Sequence, residues 1–342
     1  MIPAIELAPT YRISRLIKGG WHLAGGHGAV DVAQARRDMA EFVEAGFTAF
    51  DCADIYTGVE EMIGGFRRDY PALAAQVRVH TKYVPDIDQL EVTDGAMVEA
   101  IIDRSLQRLG MECLDLVQFH WWDYAVPRYV EVALELERLR RKGKLERIGL
   151  TNFGTPQVRE LLAAGVPVFS HQVQYSLLDQ RPAGEMSALC QAHGIALLCY
   201  GTVAGGFLSD RWLGVPSAEE PLANRSLTKY RLIIEEFGGW ALFQQLLQVL
   251  RAVATKHGVD IATVATRAVL DQHDVAAAIV GATNTAHLAD HTNLGTLVLD
   301  SGDRAAIAAV LAQRQGPAGD VYTLERDREG PHGRIMKYTL NR

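Results

Sequence analysis

Residues 47–66 read FTAFDCADIYTGVEEMIGGF, and two later stretches share their design, VRVHTKY over 77–83 and LDLVQFHWWD over 114–123. Each opens as a short apolar, strand-like run and then reaches a polar group: Asp51, Lys82 and His120. Tyr56 lies in the loop just after the first of these runs. A carboxylate, a lysine and a histidine at the ends of three successive strands would meet at one mouth of a parallel barrel. In such a barrel the C-terminal ends of the strands carry the catalytic groups.

Working outward, the same alternation fills the chain. IELAP and YRISRL near the N-terminus read as a hairpin, and LIKGG as the first strand of the sheet. DVAQARRDMAEFVEAG has helical spacing, with Asp31 as its N-cap and Gly46 as its stop. VEEMIGGFRRDY, DGAMVEAIIDRSLQRLG and PRYVEVALELERLRRKGK are the helices that follow the next three strands. RIGLTN, VFSHQVQY, IALLCYG and VAAAIVGA read as strands five to eight. The helices among and after them are TPQVRELLAAG, GEMSALCQAHG, ALFQQLLQVLRAVATKHG, ATVATRAVLDQH and TAHLADHTNLG. Residues 205–239, with GG pairs at both ends, read as a longer connection, and residues 316–342 as a polar tail without helical period. Parallel strands need crossover connections, so strict strand–helix alternation implies a parallel sheet. Eight strands close it into a (β/α)8 TIM barrel, and the expectation is one barrel domain over 1–342. The competing open sheet would announce itself with G-x-G-x-x-G after the first strand. The sequence there is GGWHLAGGHG, which lacks that spacing.

Composition narrows the function. The 342 residues are 48% hydrophobic with a formal net charge of −7, which argues against a nucleic-acid or anionic-membrane partner. No run of about 20 apolar residues suggests a membrane span. Cys52, Cys113, Cys190 and Cys199 form no C-x-x-C pair and read mostly as buried free thiols, which fits a reducing, cytoplasmic setting. His287 and His291 are spaced i, i+4, but no third ligand accompanies them, and no metal is expected. Glu60 and Glu61 read as solvated helix charges.

The polar set suits one kind of chemistry. A free tyrosine titrates near 10, too high to be an efficient acid or base at neutral pH. A nearby ammonium favours the phenolate, and Lys82 could supply it, with Asp51 as counter-charge. His120 could hydrogen-bond a substrate oxygen or help move the proton. Trp21, Trp121 and Trp122 follow the first and fourth strands and would wall a substrate pocket.

These segments together resemble the aldo-keto reductase superfamily, in its bacterial and channel-subunit-like branch. AGFTAFDCADIYTGVEEMIGGF is similar to its D-x-A-x-x-Y-G-x-E-x-x-[IL]-G block, VHTK to its lysine strand and LDLVQFHWWD to its histidine strand. IGLTNF, HQVQYSLLDQR and VGATNTAHLADHTNLG resemble its later blocks, so the likeness runs from about residue 7 to about residue 300. The resemblance implies a barrel that reduces carbonyl compounds, or oxidises alcohols or sugars, by hydride transfer. It implies Tyr56 as proton donor, supported by Lys82 and Asp51, with His120 orienting the carbonyl. It implies that Thr151, Asn152 and Gln172 hold the nicotinamide carboxamide and that Tyr200 stacks on the ring. Val203 and Gly205 fall where the backbone lines the pyrophosphate. Gly281, Ala282, Thr283, His287 and Asp290 fall at the adenosine end.

The departures from the pattern are specific. Tyr-Gly has become Tyr56-Thr57, and the serine of Ser-Asn has become Thr151. The lysine and arginine that often grip the 2′-phosphate read Gly281 and His287, and His291 stands for the usual asparagine. NADP(H) is the expected coenzyme, with NAD(H) the alternative, and a small carbonyl, alcohol or sugar the expected substrate. A different class of reading is a regulatory subunit that holds the cofactor tightly and senses redox state with very slow turnover. A barrel lyase using Lys82 as a Schiff base would leave Asn152, Gln172 and Tyr200 unexplained.

Overall fold

The computed structural model describes residues 2–341 except 27, 219 and 220. It opens with an antiparallel hairpin of β1 (Ala4–Ala8) and β2 (Tyr11–Ser14). Then come β3 (Leu16–Gly19), α1 (Val32–Glu44), β4 (Ala49–Asp51), α2 (Val59–Asp69), α3 (Pro71–Ala74), β5 (Arg78–Tyr83), α4 (Gly95–Leu109) and β6 (Leu114–Phe119). The middle of the chain forms α5 (Tyr129–Arg141), β7 (Leu145–Thr151), α6 (Thr155–Ala163), β8 (Val168–Gln174), α7 (Glu185–His193) and β9 (Ala196–Tyr200). It ends with α8 (Arg225–Phe237), α9 (Gly239–His257), α10 (Ile261–Leu270), β10 (Val275–Gly281), α11 (Leu288–Leu294), α12 (Ser301–Leu311), α13 (Thr323–Arg326) and α14 (Pro331–Arg334).

Strands β3 to β10 pair in parallel around a closed ring, with β10 joining β9 to β3, which is the expected (β/α)8 barrel. The expected local signals are present. Asp31 accepts from Ala33 N and Gln34 N at the start of α1. Gly110 closes α4 in the left-handed conformation (φ 63°).

The hairpin places Tyr11 and Ile13, both fully buried, against the inward-facing Ile17, Ala49, Leu116, Leu198, Ala277 and Ile279. These residues form the core inside the barrel, so the hairpin plugs its N-terminal end and leaves the opposite end as the mouth. A larger apolar layer lies between the strands and the surrounding helices.

Three parts differ from the sequence reading. The connection 205–239 contains a four-turn helix, α8. Asn224 caps it by accepting from Leu227 N, and Tyr230, Ile233, Ile234 and Phe237 form one buried stripe. The GG pairs at either end of that segment hid a 3.6-residue period between them. Residues 301–311, left unread, form α12 with a reciprocal capping box between Asp300 and Asp303. The polar tail contains two one-turn helices, too short to show a period, and residues 320–341 fold back across the barrel mouth.

Candidate active site

Strand ends bring Asp51, Lys82 and His120 to the mouth as the sequence suggested. Lys82 Nζ donates to Asp51 Oδ2 at 2.7 Å and to the Cys52 carbonyl at 2.8 Å. The other carboxylate oxygen, Asp51 Oδ1, accepts from Gln118 Nε2 (3.0 Å) and Gln172 Nε2 (2.7 Å). Burial alone would lower the pKa of the Lys82 ammonium, but the Asp51 carboxylate outweighs it and holds the value above that of an ordinary lysine. The ammonium lies 4.8 Å from the centre of the Tyr56 ring.

Tyr56 shows which effect wins. The sequence argument has Lys82 lowering its pKa, and the ammonium does pull that way. Burial pulls harder in the opposite direction, Asp51 adds to it, and the phenol ends above its ordinary value of 10. At neutral pH the group is therefore a protonated phenol.

His120 is 2% exposed, and burial together with the Arg326 guanidinium lowers its pKa to about 3. Its Nδ1 lies 3.0 Å from the Thr151 carbonyl, which can only accept, so Nδ1 carries the proton. Nε2 is then a bare lone pair, buried and without a partner. Trp122 stands edge-on to this ring with centroids 4.3 Å apart, and its indole N–H is also buried and unpartnered. One acceptor and one donor thus lie beside each other. Buried polar groups are seldom left unpaired, so this adjacent acceptor and donor are candidates for a ligand's contacts.

The remaining expected residues divide. Trp21 packs edge-on against Tyr56 at 5.1 Å and is 37% exposed at the mouth. Trp121 does not reach the pocket. It is fully buried against Phe119, and its N–H donates to Asp123 O and Val126 O within its own loop. Strand alternation turns Trp121 to the outer core when His120 and Trp122 face the mouth. Glu60 is not solvated. It is wholly buried, accepting from the Thr81 hydroxyl at 2.6 Å with Arg108 at 3.4 Å, and it ties the Tyr56 loop to β5.

Thr151 and Gln172 are paired neighbours on β7 and β8, and Asn152 follows with a left-handed backbone (φ 61°). Tyr200 donates from its hydroxyl to Asn152 Oδ1 at 2.9 Å. Gln172 Nε2 also donates to Gln118 Oε1 at 2.9 Å. That leaves Asn152 Nδ2 as a donor and Gln172 Oε1 as an acceptor with no hydrogen bond among the described residues. A primary carboxamide needs one of each, so these residues fit the nicotinamide amide.

Val203 and Gly205 lie in the loop after β9, where a side chain on Gly205 (φ 65°) would collide with the Tyr230 ring. A Cβ on Gly281 would fall 2.0 Å from the His22 ring, so glycine is what admits that imidazole. Ala282 is buried and its carbonyl accepts from Lys18 at 3.5 Å, whereas Thr283 and His287 are exposed. His287 Nδ1 lies 3.2 Å from Asp290 Oδ2. The helix expected to begin near Thr283 begins at Leu288, with His287 at its N-cap, so Thr283 sits in a turn and not at a helix end. Among the described residues, no group of three or more His, Cys, Asp or Glu could hold a metal.

The cover of the site is built by the polar tail, whose fold over the mouth no local pattern announces. Tyr322 lies edge-on to His120 at 5.7 Å, Tyr338 packs on Trp122 at 5.1 Å, and Arg326 Nη2 donates to the Trp121 carbonyl at 2.8 Å. Glu325, fully buried, takes both terminal nitrogens of Arg181 at 2.9 and 3.0 Å, and Arg181 also holds Asp179. No short-range pattern in 316–342 announces these ties, because every partner lies far away in the chain.

Residues 15–312 match the model of the aldo/keto reductase family, and the chain belongs to that family. It is an oxidoreductase of the aldo-keto reductase type, acting on carbonyl or alcohol groups. The chain is 30% identical over 257 residues to flagellar radial spoke protein 5 of Chlamydomonas reinhardtii, covering 64% of this chain and about half (49%) of that protein's length. It is 30% identical over 271 residues to the chloroplastic pyridoxal reductase of Arabidopsis thaliana, covering 75% and 70% of the two chains. Among solved structures, a glycerol dehydrogenase from Gluconobacter oxydans superposes with a TM-score of 0.77 at 21% identity, over 93% of this chain and 97% of that one. Among the described residues no helix is long and apolar enough to cross a membrane.

Proposed function

We propose that this protein interconverts a small aldehyde or ketone and its alcohol, using NADP(H) in preference to NAD(H), with Tyr56 as general acid and base. The observation that carries this reading is the convergence of the Tyr56 phenol, the Lys82–Asp51 pair and two unpartnered polar atoms, His120 Nε2 and Trp122 Nε1, at one mouth.

A bound nicotinamide supplies or accepts the hydride at the substrate carbon. The chain's own residues handle the oxygen. In reduction, the Tyr56 hydroxyl gives its proton to the developing alkoxide. The Lys82 ammonium then faces a phenolate, and its attraction for that anion lowers the barrier. Asp51 keeps Lys82 charged throughout. Trp122 Nε1 is a donor for the carbonyl oxygen before transfer. His120, neutral with its proton on Nδ1, offers Nε2 to the hydroxyl of the alcohol. The resemblance has His120 steering a carbonyl; in this tautomer it steers the alcohol, and the indole takes the carbonyl. The cover of Tyr322 and Tyr338 excludes water from the exchange.

A panel of aldehydes, ketones, sugars and alcohols, assayed by nicotinamide absorbance with each coenzyme, tests the reading. Steady turnover of a carbonyl compound supports it. A preparation that retains bound coenzyme yet turns over no member of the panel would favour the redox-sensing subunit.

A further inference from the structure

Lys229 is a cation that neither the proposed chemistry nor the family resemblance uses. It lies on α8, one turn beyond Ser226, whose hydroxyl accepts from the Trp21 indole at 3.4 Å, so this face of the helix borders the mouth. Its ammonium sits among three aromatic rings, 5.2 Å from the centre of Tyr200, 5.6 Å from Tyr230 and 5.5 Å from Tyr322. Its nearest carboxylate oxygen, Glu325 Oε1, is 3.9 Å away, outside hydrogen-bonding distance. Arg181 already occupies both oxygens of Glu325 and both of Asp179.

Lys229 is thus balanced in charge but not satisfied in hydrogen bonding. Two carboxylates face two cations, which keeps the ammonium worth its burial, yet among the described residues no acceptor lies within hydrogen-bonding distance of its N–H groups. Burial lowers its pKa and Glu325 opposes that. The side chain is 14% exposed, so a small acceptor can reach it. Position gives the rest. The Tyr322 ring lies 5.5 Å from the Lys229 ammonium and 5.7 Å from the His120 ring, so one aromatic side chain adjoins both the lysine and the histidine. A substrate lying along Tyr322 would span from His120 to the ammonium.

We propose that Lys229 receives an anionic oxygen group, a carboxylate or a phosphate ester, carried by the substrate a few atoms from its reacting carbonyl. This rests on the reading of the mouth given above and narrows its substrate class to acidic aldehydes and ketones and the matching hydroxy acids. Tyr200, Tyr230 and Tyr322 hold the cation in place by their ring faces. The residue acts on specificity and not on proton transfer.

The test compares substrates that differ in the anion: succinic semialdehyde with butanal, and glyceraldehyde 3-phosphate with glyceraldehyde. A charge-assisted hydrogen bond of this kind should raise kcat/KM for the acidic member of at least one pair by about 10-fold to 100-fold. Lys229→Met should bring that ratio close to one, and Lys229→Arg should restore most of it. A ratio near one in the wild type, or one that Lys229→Met leaves unchanged, overturns the proposal. So does a loss of NADPH affinity in Lys229→Met with the ratio intact, which would assign the lysine to the coenzyme. Calorimetric titration with succinate, in the presence and absence of NADPH, separates this from the broader reading. If no carbonyl compound is turned over, the proposed function fails. Succinate binding that disappears in Lys229→Met would still sustain the anion site, and binding that is absent or unaltered would refute it.

Discussion

The floor and the cover of the mouth are built in opposite ways. The floor is local. Asp51, Lys82 and His120 each follow an apolar strand, and the register of neighbouring strands sets them side by side without further instruction. The cover is held by ties that span the chain. Asp320 accepts from the Thr155 hydroxyl at 2.9 Å, Glu325 holds Arg181, Tyr338 O accepts from Ile87 N at 2.9 Å, and Asn341 Nδ2 donates to Val84 O at 2.7 Å. Chemistry is set by the part whose geometry the fold enforces.

The largest expected effect breaks the floor alone. Tyr56→Phe removes the proton donor and keeps the ring that Lys82 faces. General acid catalysis contributes about 10²–10⁴-fold, so turnover should fall by at least that range. Coenzyme affinity and thermal stability should barely change, because among the described residues no hydrogen bond joins Tyr56 to the cover. Near-normal turnover of a carbonyl substrate by this variant would sink the role given to Tyr56. The wild-type profile should carry no limb from His120 between pH 5 and 9, since that imidazole titrates at about 3.

The next effect breaks the cover alone. Burial would raise the pKa of Glu325, but Arg181 and Lys229 reverse this and hold the carboxyl at about 2 instead of the usual 4.5. A depressed folded-state pKa means the stabilisation is fully present above about pH 4.5 and is lost as pH falls towards 2. The C-terminal segment should therefore become susceptible to an acid-active protease within that window. Replacing Glu325 by Ala should loosen the segment at neutral pH. Stranding a buried cation in this way costs about 3–5 kcal/mol. Digestion followed by mass spectrometry locates the cuts. The comparison fails if cleavage after acidification begins in the barrel helices and spares residues 320–341, or if the alanine variant resists protease as well as the wild type.

This division also explains what could be read in advance. The barrel, the hairpin and the floor were legible because each rests on a short pattern: a strand run, a cap such as Asp31, a stop such as Gly110. Helix α8 was legible too, from Tyr230, Ile233, Ile234 and Phe237, but flanking glycines and prolines made it look like a loop. The place of Glu60 was not legible, since its partner Thr81 lies on the next strand and solvated and buried glutamates look alike on one helix. Trp121 and Trp122 are adjacent, and only the strand's facing decides which one sees the mouth. For residues 316–342 no local signal exists. Tyr322 and Glu325 gain their meaning from His120 and Arg181, far away in sequence.

The segment 281–290, proposed for the adenosine end of the coenzyme, belongs to neither region, and the smallest effect is expected there. Thr283 and His287 are exposed, and the segment through Thr283 offers no helix end to a phosphate. A 2′-phosphate would meet His287, whose Nδ1 already lies 3.2 Å from Asp290 Oδ2. The carboxylate both occupies the imidazole and repels the phosphate, so the preference for NADP(H) should be modest. His287→Arg supplies a permanent charge and a two-pronged donor. Exposed pairs are weak, so the ratio of kcat/KM for NADPH over NADH should rise by only about 3-fold to 10-fold. Asp290→Asn should move the ratio the same way by removing the repulsion, and His287→Ala should move it the other way. Measuring the ratio in all four proteins at fixed ionic strength decides the matter, because screening weakens every exposed charge alike. A wild type that strongly prefers NADH, with no response to either substitution at His287, would place coenzyme choice elsewhere. The buried Lys18, hydrogen-bonded to the Ala282 carbonyl in this segment, would then be the next cation to test.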